Sequence, residues 1–446
     1  MRGRKECRSA LKTGQASGGW ESERHGIIIT NQGLTPADMQ KRMKLWIFLN
    51  TPSPYQVDFI RGLRESGLFE VHARFMSAIH RGRVGRPEES GIGDIRILKG
   101  YGPHIWSDAF RIHPEALREV QREKFDLFIL GGQYTSMTFA LTVRLLGRRH
   151  CWMAWLERPW PEDFRPAWSR SLSSRSRTVG WIRKHYLRAV LCRASAVLAI
   201  GTAACREYRR LTGHQVRVEN FPYVCDTARF QPADAAMRRS RMRRELGLAD
   251  DQVVLLYCGQ LIERKGVDVL IRALEAAELP EARLVIVGDG PLRDRLRELA
   301  NTRLKDRVLF SGNVPYDRVP EYYLAADLFV FPTLYDGWGV VINEACAAGL
   351  PVICSRAAGA AADLVCQERN GILVEAGDVG ALTVAIRRLA GDPDLRRKMG
   401  VESRRIIESY SPIAASRRLW EIAVQVGAGR RELPEGNAGS ARDKIL

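Results

Sequence analysis

Two adjacent cations, Arg264 and Lys265, are the residues whose placement most directly suggests chemistry. They lie in the run G-Q-L-I-E-R-K-G at 259–266, which follows an apolar strand and precedes a predicted helix. A helix N-terminus presents unpaired backbone N–H groups, and neighbouring positive side chains add to their attraction for anions. The run therefore predicts a cradle for a diphosphate group.

Three further loops follow predicted strands in the same half of the chain. One is the glycine turn G-D-G-P at 288–291, and another is the small-residue loop at 357–360. Between them lies the turn at 335–345, which enters a helix and carries Asp336 and Glu344. Each loop alone is typical of a plain turn. Open α/β sheets bind ligands where such loops meet, so the four together predict a ligand site.

The elements that would position these loops alternate between strand and helix along both halves of the chain. In the first half, apolar runs predict buried parallel strands at 45–49, 69–76, 126–130, 151–156 and 196–200. In the second half, they predict strands at 253–257, 283–287, 308–310, 328–331, 352–354 and 372–374. Helical patterns lie between them, among them 56–65, 114–123 and 136–146. The alternation predicts an α/β protein with two Rossmann-like, doubly wound domains facing a central cleft.

The predicted boundaries divide the chain into four segments. Residues 1–42 are polar and rich in Arg and Gly, and we expect them to be disordered or an over-extended start rather than a signal peptide. One α/β domain is predicted at 43–235 and a second at 236–427, with a last helix that crosses back. We expect a flexible tail at 428–446. The Pro- and Arg-containing stretch 221–244 predicts a linker.

Charge and cysteine usage constrain the partners and the compartment. Residues 1–220 hold 37 Lys and Arg against 20 Asp and Glu, whereas the other 226 residues hold 32 against 31. The basic half favours an anionic partner, although a solubilising surface is the alternative. The nine cysteines form no C-x-x-C pair or zinc-type cluster, which indicates free thiols in a reducing compartment. We therefore expect a cytoplasmic protein, resting on the inner face of the plasma membrane if the basic half binds lipid.

From 253 to 400 the chain resembles glycosyltransferase family 4, whose members are retaining enzymes of the GT-B fold. The resemblance lies in G-Q-L-I-x-R-K-G-V-D, in V-G-D-G-P, in AADLFVFPTLYDGWGVVINEACAAGLPVICS and in the N-G-I-L-V run at 370–374. The first half matches more loosely, through P-S-P-Y at 52–55 and Pro222-Tyr223. The resemblance implies a hexosyltransferase that moves a sugar from a UDP- or GDP-sugar to a glycan or lipid-linked acceptor. For this chain we expect a role in cell-envelope or exopolysaccharide synthesis.

The resemblance also implies roles on the donor side. Glu344 would accept hydrogen bonds from the ribose hydroxyls, and Asp336, where the family usually has Glu, would face the donor sugar. Lys265 would hold the diphosphate. Arg264 would supply the second charge, because Gln260 stands where the family's arginine usually lies. The remaining predicted donor-binding residues are Gly259, Gly288, Gly290, Gly337, Trp338 and Gly339.

The mechanism implied by the family is front-face attack with retention of configuration. The departing diphosphate gains negative charge, so cations and oriented N–H groups are the main means of stabilising the transition state. The leaving phosphate itself would assist deprotonation of the acceptor. No D-x-D motif of the metal-dependent kind follows a strand. We therefore expect no metal and no cofactor, since the nucleotide sugar is a co-substrate.

The acceptor is expected on the loops of the first half. Pro54, Tyr55 and Gly132 follow predicted strands there. Glu157 follows the strand at 151–156, close to where many relatives carry a His or Asp near the reacting centre. The alternative for Glu157 is an ion pair with Arg158 or another neighbour.

The stretch 164–188 interleaves Trp168, Trp181 and Tyr186 with seven Arg and Lys residues. This composition suits contact with an anionic membrane. The alternative is a helix whose aromatic residues face the core and whose arginines face water. Both interpretations stay open at this point.

Other classes of function fit less well. A GT-B protein that binds nucleotide sugar without turnover, with a regulatory role, is the main alternative, because Asp336 and Gln260 depart from the family pattern. Nucleic acid is not expected as a partner, since the positive charge is diffuse and no nucleic-acid-binding motif accompanies it. No G-x-G-x-x-G follows either opening strand, which argues against a dinucleotide oxidoreductase.

Overall fold

The computed structural model of the protein describes residues 42–77, 94–102, 111–132, 134, 136–158 and 177–428. The predictions made for 1–41, 164–176 and 429–446 lie outside these residues.

The first half of the chain forms a parallel sheet of seven strands within the described residues. The strands are β1 (Met43–Leu49), β2 (Phe69–Phe75), β3 (Ile95–Ile97), β4 (Leu127–Gly131), β5 (Trp152–Leu156), β6 (Ala196–Ala199) and β7 (Val218–Asn220). Their order across the sheet is β3-β2-β1-β4-β5-β6-β7. Every residue of β4, β5 and β6 is buried, as expected for strands covered by helices on both faces.

The second half forms a parallel sheet of six strands among the described residues. The strands are β8 (Val253–Cys258), β9 (Ala282–Val287), β10 (Val308–Gly312), β11 (Leu328–Phe331), β12 (Val352–Ser355) and β13 (Gly371–Val374). Their order is β10-β9-β8-β11-β12-β13. The predicted fold class of two doubly wound α/β units is confirmed.

Helices connect the strands of both sheets. In the first half they are α1 (Pro54–Glu65), α2 (Pro114–Arg122), α3 (Met137–Leu146), α4 (Arg177–Leu191) and α5 (Thr202–Thr212). The later ones are α6 (Ala235–Glu245), α7 (Val267–Ala277), α8 (Arg293–Leu304), α9 (Val319–Ala325), α10 (Val341–Ala348), α11 (Ala361–Leu364), α12 (Val379–Gly391), α13 (Pro393–Ile407) and α14 (Pro412–Gln425). The last helix among the described residues, α14, packs on α1 of the first half, where the Ser416 hydroxyl donates to the Ser66 hydroxyl at 2.7 Å.

The predicted linker at 221–244 is partly wrong, because its second part is the helix α6. The arginines of α6 bind the second half of the chain. Arg239 donates to the carbonyls of Leu324 and Ala326 at 2.9 and 2.7 Å and pairs with Asp327 at 2.6 Å. The Arg-rich composition therefore reflects the packing of α6 against the second half rather than a flexible connection.

Each sheet has one point at which its strand order reverses direction. In the first sheet it lies between β1 and β4, and in the second between β8 and β11. Adjacent loops diverge there to opposite faces of the sheet and leave a crevice at the carboxyl ends of the strands. The loops that hold the predicted site residues follow these four strands and the neighbouring β5, β9 and β12.

Candidate functional site

The loop that carries the two cations is a short 3₁₀ turn at Glu263–Lys265, placed between β8 and α7. Gly266 ends this turn with φ of +63°, and a Cβ there would lie 2.5 Å from the Pro332 carbonyl oxygen. Only glycine allows this approach. The cation loop is thereby held against the loop that follows β11, and the Arg264 carbonyl accepts a hydrogen bond from the Leu334 N–H at 2.8 Å.

Both cations reach the same carboxylate. Lys265 Nζ forms an ion pair with Asp336 Oδ2, and Arg264 Nη1 lies 3.4 Å from the same oxygen. The side chains of Lys265 and Asp336 are only 11% and 13% exposed. Burial alone would raise the pKa of Asp336, but the charges of Lys265 and Arg264 outweigh it and hold that pKa below its ordinary value. Asp336 is thus ionised, and the cluster carries a net positive charge at neutral pH.

The acidic turn, residues 335–345, is shaped by its glycines and by the loop after β12. The Gly359 N–H donates to the Asp336 carbonyl at 3.1 Å, and a Cβ on Gly359 would lie 2.1 Å from the Gly337 carbonyl oxygen. The Asp336 side chain in turn accepts the Trp338 N–H at 3.3 Å. Gly339, with φ of +94°, leads into α10. The loops that follow β11 and β12 therefore contact each other at Asp336 and Gly359.

Glu344 lies in the first turn of α10 and is 6% exposed. Its Oε2 accepts a hydrogen bond from the Tyr323 hydroxyl at 2.7 Å. It does not line the cleft described below.

Across from the acidic turn, the first sheet contributes Glu157, Tyr55 and Tyr223. Together with the second sheet they line an open cleft of about 380 Å³. Its walls are Tyr55, Glu157, Tyr223, Lys265, Asp336, Trp338, Gly339, Val340 and Val341. A Cβ on Gly337 would lie 2.5 Å from Glu157 Oε2, so the missing side chain lets that carboxyl reach the acidic turn.

The pKa of Glu157 is raised, first by burial and then by the negative charge of Asp336. A hydrogen bond from the Tyr223 hydroxyl and the charges of Arg264 and Lys265 act in the opposite direction. The proposed ion pair of Glu157 with Arg158 is wrong, because Arg158 Nε instead contacts Glu207 Oε1 at 2.9 Å. Two carboxyl groups therefore face each other across the cleft, Asp336 with a lowered pKa and Glu157 with a raised one.

Several predicted donor-side residues lie beside the cleft rather than on its walls. Gly259 and Gly288 bring two loops together, since a Cβ on Gly288 would lie 2.0 Å from the Gly259 carbonyl oxygen. Gly290 has the same role, since a Cβ there would lie 2.5 Å from the Leu261 carbonyl oxygen. Gln260 is half-buried next to them. These glycines explain the close contact between the loops after β8 and β9.

On the acceptor side, Tyr55 lies on the wall of the cleft whereas Pro54 and Gly132 do not. Pro54 is the first residue of α1, where its fixed φ suits a helix start. Gly132 has φ of +88° and a Cβ there would meet the Asn50 side chain at 2.2 Å. Both residues shape the loops behind the cleft.

Trp338 touches the cleft, yet its ring is 1% exposed. A Cβ on Gly201 would lie 2.6 Å from the ring, and the indole N–H donates to Asn343 Oδ1 at 2.9 Å. Tyr223 and Asn343 were not predicted as site residues. Tyr223 formed part of the looser first-half resemblance, which was the one available signal for it.

Helix α4 holds the described part of the Arg- and aromatic-rich stretch. Its aromatic residues do not face the core, because Trp181 and Tyr186 are 61% and 38% exposed and Ile182 is 58% exposed. The alternative in which the aromatic residues of this helix face the core is therefore wrong for Trp181 and Tyr186. Among the described residues, none of the helices combines the length and apolar composition that a bilayer crossing requires.

Comparison with known proteins begins with the second half of the chain. Residues 238–406 match the family described as glycosyl transferases group 1. Over 275 residues the chain is 32% identical to a Mycolicibacterium smegmatis protein named GDP-mannose-dependent alpha-(1-6)-phosphatidylinositol monomannoside mannosyltransferase, covering 58% of this chain and 70% of that protein. Over 254 residues it is 32% identical to the alpha-D-kanosaminyltransferase of Streptomyces kanamyceticus, covering 55% and 64% of the two chains.

Solved structures share the fold. An Anabaena protein, HepE, in complex with UDP and glucose superimposes with a TM-score of 0.67 at 20% identity, covering 85% of this chain and 99% of that one. The sucrose-phosphate synthase of Thermosynechococcus elongatus gives a TM-score of 0.64 at 22% identity, covering 86% and 99%. These likenesses confirm the predicted arrangement of two Rossmann-like domains.

Proposed function

Because the chain belongs to the glycosyl transferases group 1 family and is a glycosyltransferase, we propose that it transfers a hexose from a UDP- or GDP-sugar to a glycan or lipid-linked acceptor with retention of configuration. The observation that carries this proposal is the convergence of Lys265 and Arg264 on Asp336, opposite Glu157. A cationic cluster at the carboxyl ends of the second sheet is suited to a diphosphate. Residues of the first half form the opposite wall of the cleft.

In this proposal the reaction breaks the bond between the anomeric carbon of the hexose and the β-phosphate oxygen, and the acceptor oxygen takes its place. Negative charge develops on the departing diphosphate, where Lys265 and Arg264 stabilise it. Asp336, ionised by those two cations, accepts a hydrogen bond from the donor sugar. The acceptor proton passes to the leaving phosphate. We propose that this chemistry proceeds without a metal, because two side-chain cations already supply positive charge.

Glu344 is proposed to bind the ribose, and the loops held together by Gly259, Gly288 and Gly290 are proposed to surround the nucleotide. Support comes from position: Glu344 lies in the first turn of α10, and its carboxylate accepts a hydrogen bond from Tyr323. In Glu344→Ala that carboxylate is gone and Tyr323 loses its partner. We therefore expect nucleotide affinity to fall more in Glu344→Ala than in Asp336→Ala, and turnover to be lost in Asp336→Ala.

The acceptor is proposed to be a lipid-linked or polymeric glycan of the cell envelope. The M. smegmatis relative is named for a phosphatidylinositol mannoside acceptor, and a Bacillus subtilis relative is named as a putative teichuronic acid biosynthesis glycosyltransferase. Such acceptors carry anionic groups, which fits the basic first half of this chain. We propose a cytoplasmic location at the inner face of the membrane.

The exposed face of α4 is proposed to contact that membrane. It presents Trp181, Ile182 and Tyr186 to solvent beside the exposed cations Lys184 and Arg188. Apolar rings and cations on one surface are typical of binding to anionic lipid headgroups.

Vesicle sedimentation tests this contact. We expect binding to vesicles containing phosphatidylglycerol, weak binding to phosphatidylcholine alone, and loss of binding in the double variant Trp181→Ser, Ile182→Ser. The matched control is Val384→Ser, Val401→Ser, which removes two apolar side chains of similar exposure (64% and 60%) from the second half. Equal binding by both double variants would contradict the proposal.

A thermal-shift screen against UDP, GDP, ADP and dTDP tests the enzymatic proposal. A nucleotide at 100 times its Kd adds about 2.7 kcal/mol of stability, so binding is easily detected. We expect UDP or GDP to raise the melting temperature and the matching sugar nucleotide to be turned over. A shift without turnover of any donor would favour a binding or regulatory protein, and no shift with any nucleotide would count against both.

A further inference from the structure

Asn343 is a fully buried amide on α10, between the two acidic residues of the turn. Both ends of its side chain are engaged. Oδ1 accepts the Trp338 indole N–H at 2.9 Å, and Nδ2 donates to the Tyr223 carbonyl at 3.0 Å. Trp338 belongs to the acidic turn, whereas Tyr223 lies just after β7 of the first sheet. One side chain thus joins the two halves of the cleft.

The hydrogen bond from Asn343 holds the backbone of Tyr223 in place. Its ring packs against Tyr55 with 4.4 Å between centroids and against Trp155 with 5.3 Å. Its hydroxyl is hydrogen-bonded to Glu157 and to Tyr55. Burial raises the pKa of Tyr223 well above its usual value, so the hydroxyl keeps its proton. The backbone of Tyr223 is therefore held from the second sheet, and its hydroxyl contacts the carboxyl on the first.

We propose that Asn343 is a positioning residue, which fixes Tyr223 and through it holds the Glu157 carboxyl opposite Asp336 for the transfer reaction. Packing alone does not require an amide at this site, since leucine has a similar size and carries no polar group to bury. A buried amide stabilises the fold only when its donors and acceptors are satisfied. Here they are satisfied by one partner from each side of the cleft. The inference rests on the proposed function.

Three variants and one control test it in the full-length protein. Asn343→Leu removes both hydrogen bonds of the amide. Tyr223→Phe removes only the hydroxyl, and the double variant combines them. The control is Asn370→Leu, because Asn370 is an equally buried amide whose bonds to the Leu364 carbonyl (2.9 Å) and the Cys366 N–H (2.7 Å) lie within the second half.

The measurements are nucleotide release from GDP-mannose and UDP-glucose, and calorimetric affinity for GDP and UDP. We expect kcat to fall about tenfold or more in Asn343→Leu and in Tyr223→Phe, with nucleotide affinity within about twofold of wild type. Because both changes act on the same carboxyl, the double variant should lose little more than either single variant. Asn370→Leu should lower the melting temperature and leave kcat unchanged.

Unchanged kcat in Asn343→Leu or Tyr223→Phe would overturn the inference. A fall in the kcat of the double variant equal to the product of the two single-variant falls would overturn it as well. A comparable loss of kcat in Asn370→Leu would assign the effect to general destabilisation. If Asn343→Leu does not fold, Asn343→Ser, which is too short to reach both partners, takes its place. Wild-type protein that binds nucleotide but turns over no UDP- or GDP-hexose would instead refute the proposed function, and this inference with it.

Discussion

Two carboxyl groups on opposite walls of the cleft, Glu157 and Asp336, respond to their surroundings in opposite ways. Asp336 is paired with Lys265 and Arg264, and its pKa is lowered despite burial. Glu157 lies beside Asp336 with a tyrosine as its hydrogen-bonding partner, and its pKa is raised, chiefly by burial. Such divergence is typical of sites in which one carboxyl accepts hydrogen bonds while the other donates one.

The raised pKa of Glu157 predicts a pH-dependent effect of Glu157→Gln on stability. A carboxyl whose pKa is higher in the folded state stabilises the fold at low pH and loses that contribution as pH rises from its ordinary value of 4.5 through the raised one. Glutamine has no proton to lose. We therefore expect the melting temperature of Glu157→Gln, relative to wild type, to increase between pH 4.5 and pH 8.

Differential scanning fluorimetry across this range provides the measurement. Glu263→Gln is the matched control, because Glu263 is exposed on the neighbouring cation loop and should show no such trend. A difference for Glu157→Gln that stays flat or falls with pH would contradict the raised pKa.

The sequence singles out three charged residues of the second half, but it does not show how they pair. Lys265, Arg264 and Asp336 stand out because each belongs to a glycine-containing loop after an apolar strand. Their shared ion cluster depends on the contact between the loops after β8 and β11, which are about 70 residues apart and held by Gly266. Tyr223 and Asn343 were missed for the same reason, since their roles come from contacts across the two sheets.

At the scale of whole elements, the joint between α1 and α14 depends on a glycine. Gly62 lies within α1, and a Cβ there would be 2.4 Å from Pro412 Cβ and 2.6 Å from its carbonyl carbon. Helix α14 can therefore approach α1 only because this side chain is missing. Close packing of this kind leaves no room for an added methyl group without displacement.

Gly62→Ala should lower the free energy of unfolding by about 1–3 kcal/mol through overpacking. Alanine favours a helix over glycine by about 1 kcal/mol, so the steric effect has to exceed this gain. Gly391→Ala, at the end of α12 with no atom within 4 Å of the added Cβ, is the control and should not destabilise. Urea denaturation measures both, and equal stability of the two variants would refute tight packing at the joint.

Long apolar strands were the most predictable elements, because five or more buried residues in a row leave a clear signal. The strands β3 and β7 were not predicted, since each has three residues and includes charged or polar positions, such as Arg96 in β3 and Glu219 in β7. They are strands because a neighbouring strand offers hydrogen-bonding partners. Helix α6 was mistaken for linker because its arginines make tertiary contacts that composition does not reveal.

At the scale of the whole molecule, the two sheets are connected by polar contacts outside the cleft as well as within it. Asp363 of α11 accepts hydrogen bonds from the Thr202 N–H (3.0 Å) and hydroxyl (2.7 Å) at the start of α5, and from Asn220 Nδ2 (2.8 Å). On another side, the Tyr316 hydroxyl donates to Asp58 at 3.0 Å. A donor bound to the second sheet would meet the first only while these contacts hold.

Asp363→Ala should therefore weaken the connection between the sheets more than either sheet itself. Hydrogen bonds to a charged group contribute about 1.5–3 kcal/mol each, and their loss leaves the N-terminus of α5 without its acceptor. We expect calorimetry to show a lower unfolding temperature with the transition broadened or split, and small-angle scattering to show a larger radius of gyration.

Asp378→Ala provides the comparison for this last variant, since Asp378 caps α12 through the Ala381 N–H at 2.8 Å without leaving the second half. Loss of such a cap costs about 1 kcal/mol. Because the affected helix belongs to one unit, the transition should move to lower temperature without splitting, and the radius of gyration should stay at the wild-type value. If both variants behaved alike, Asp363 would be a helix cap and nothing more. If only Asp363→Ala also lost turnover while keeping nucleotide affinity, the contact between the sheets would be a requirement of the reaction.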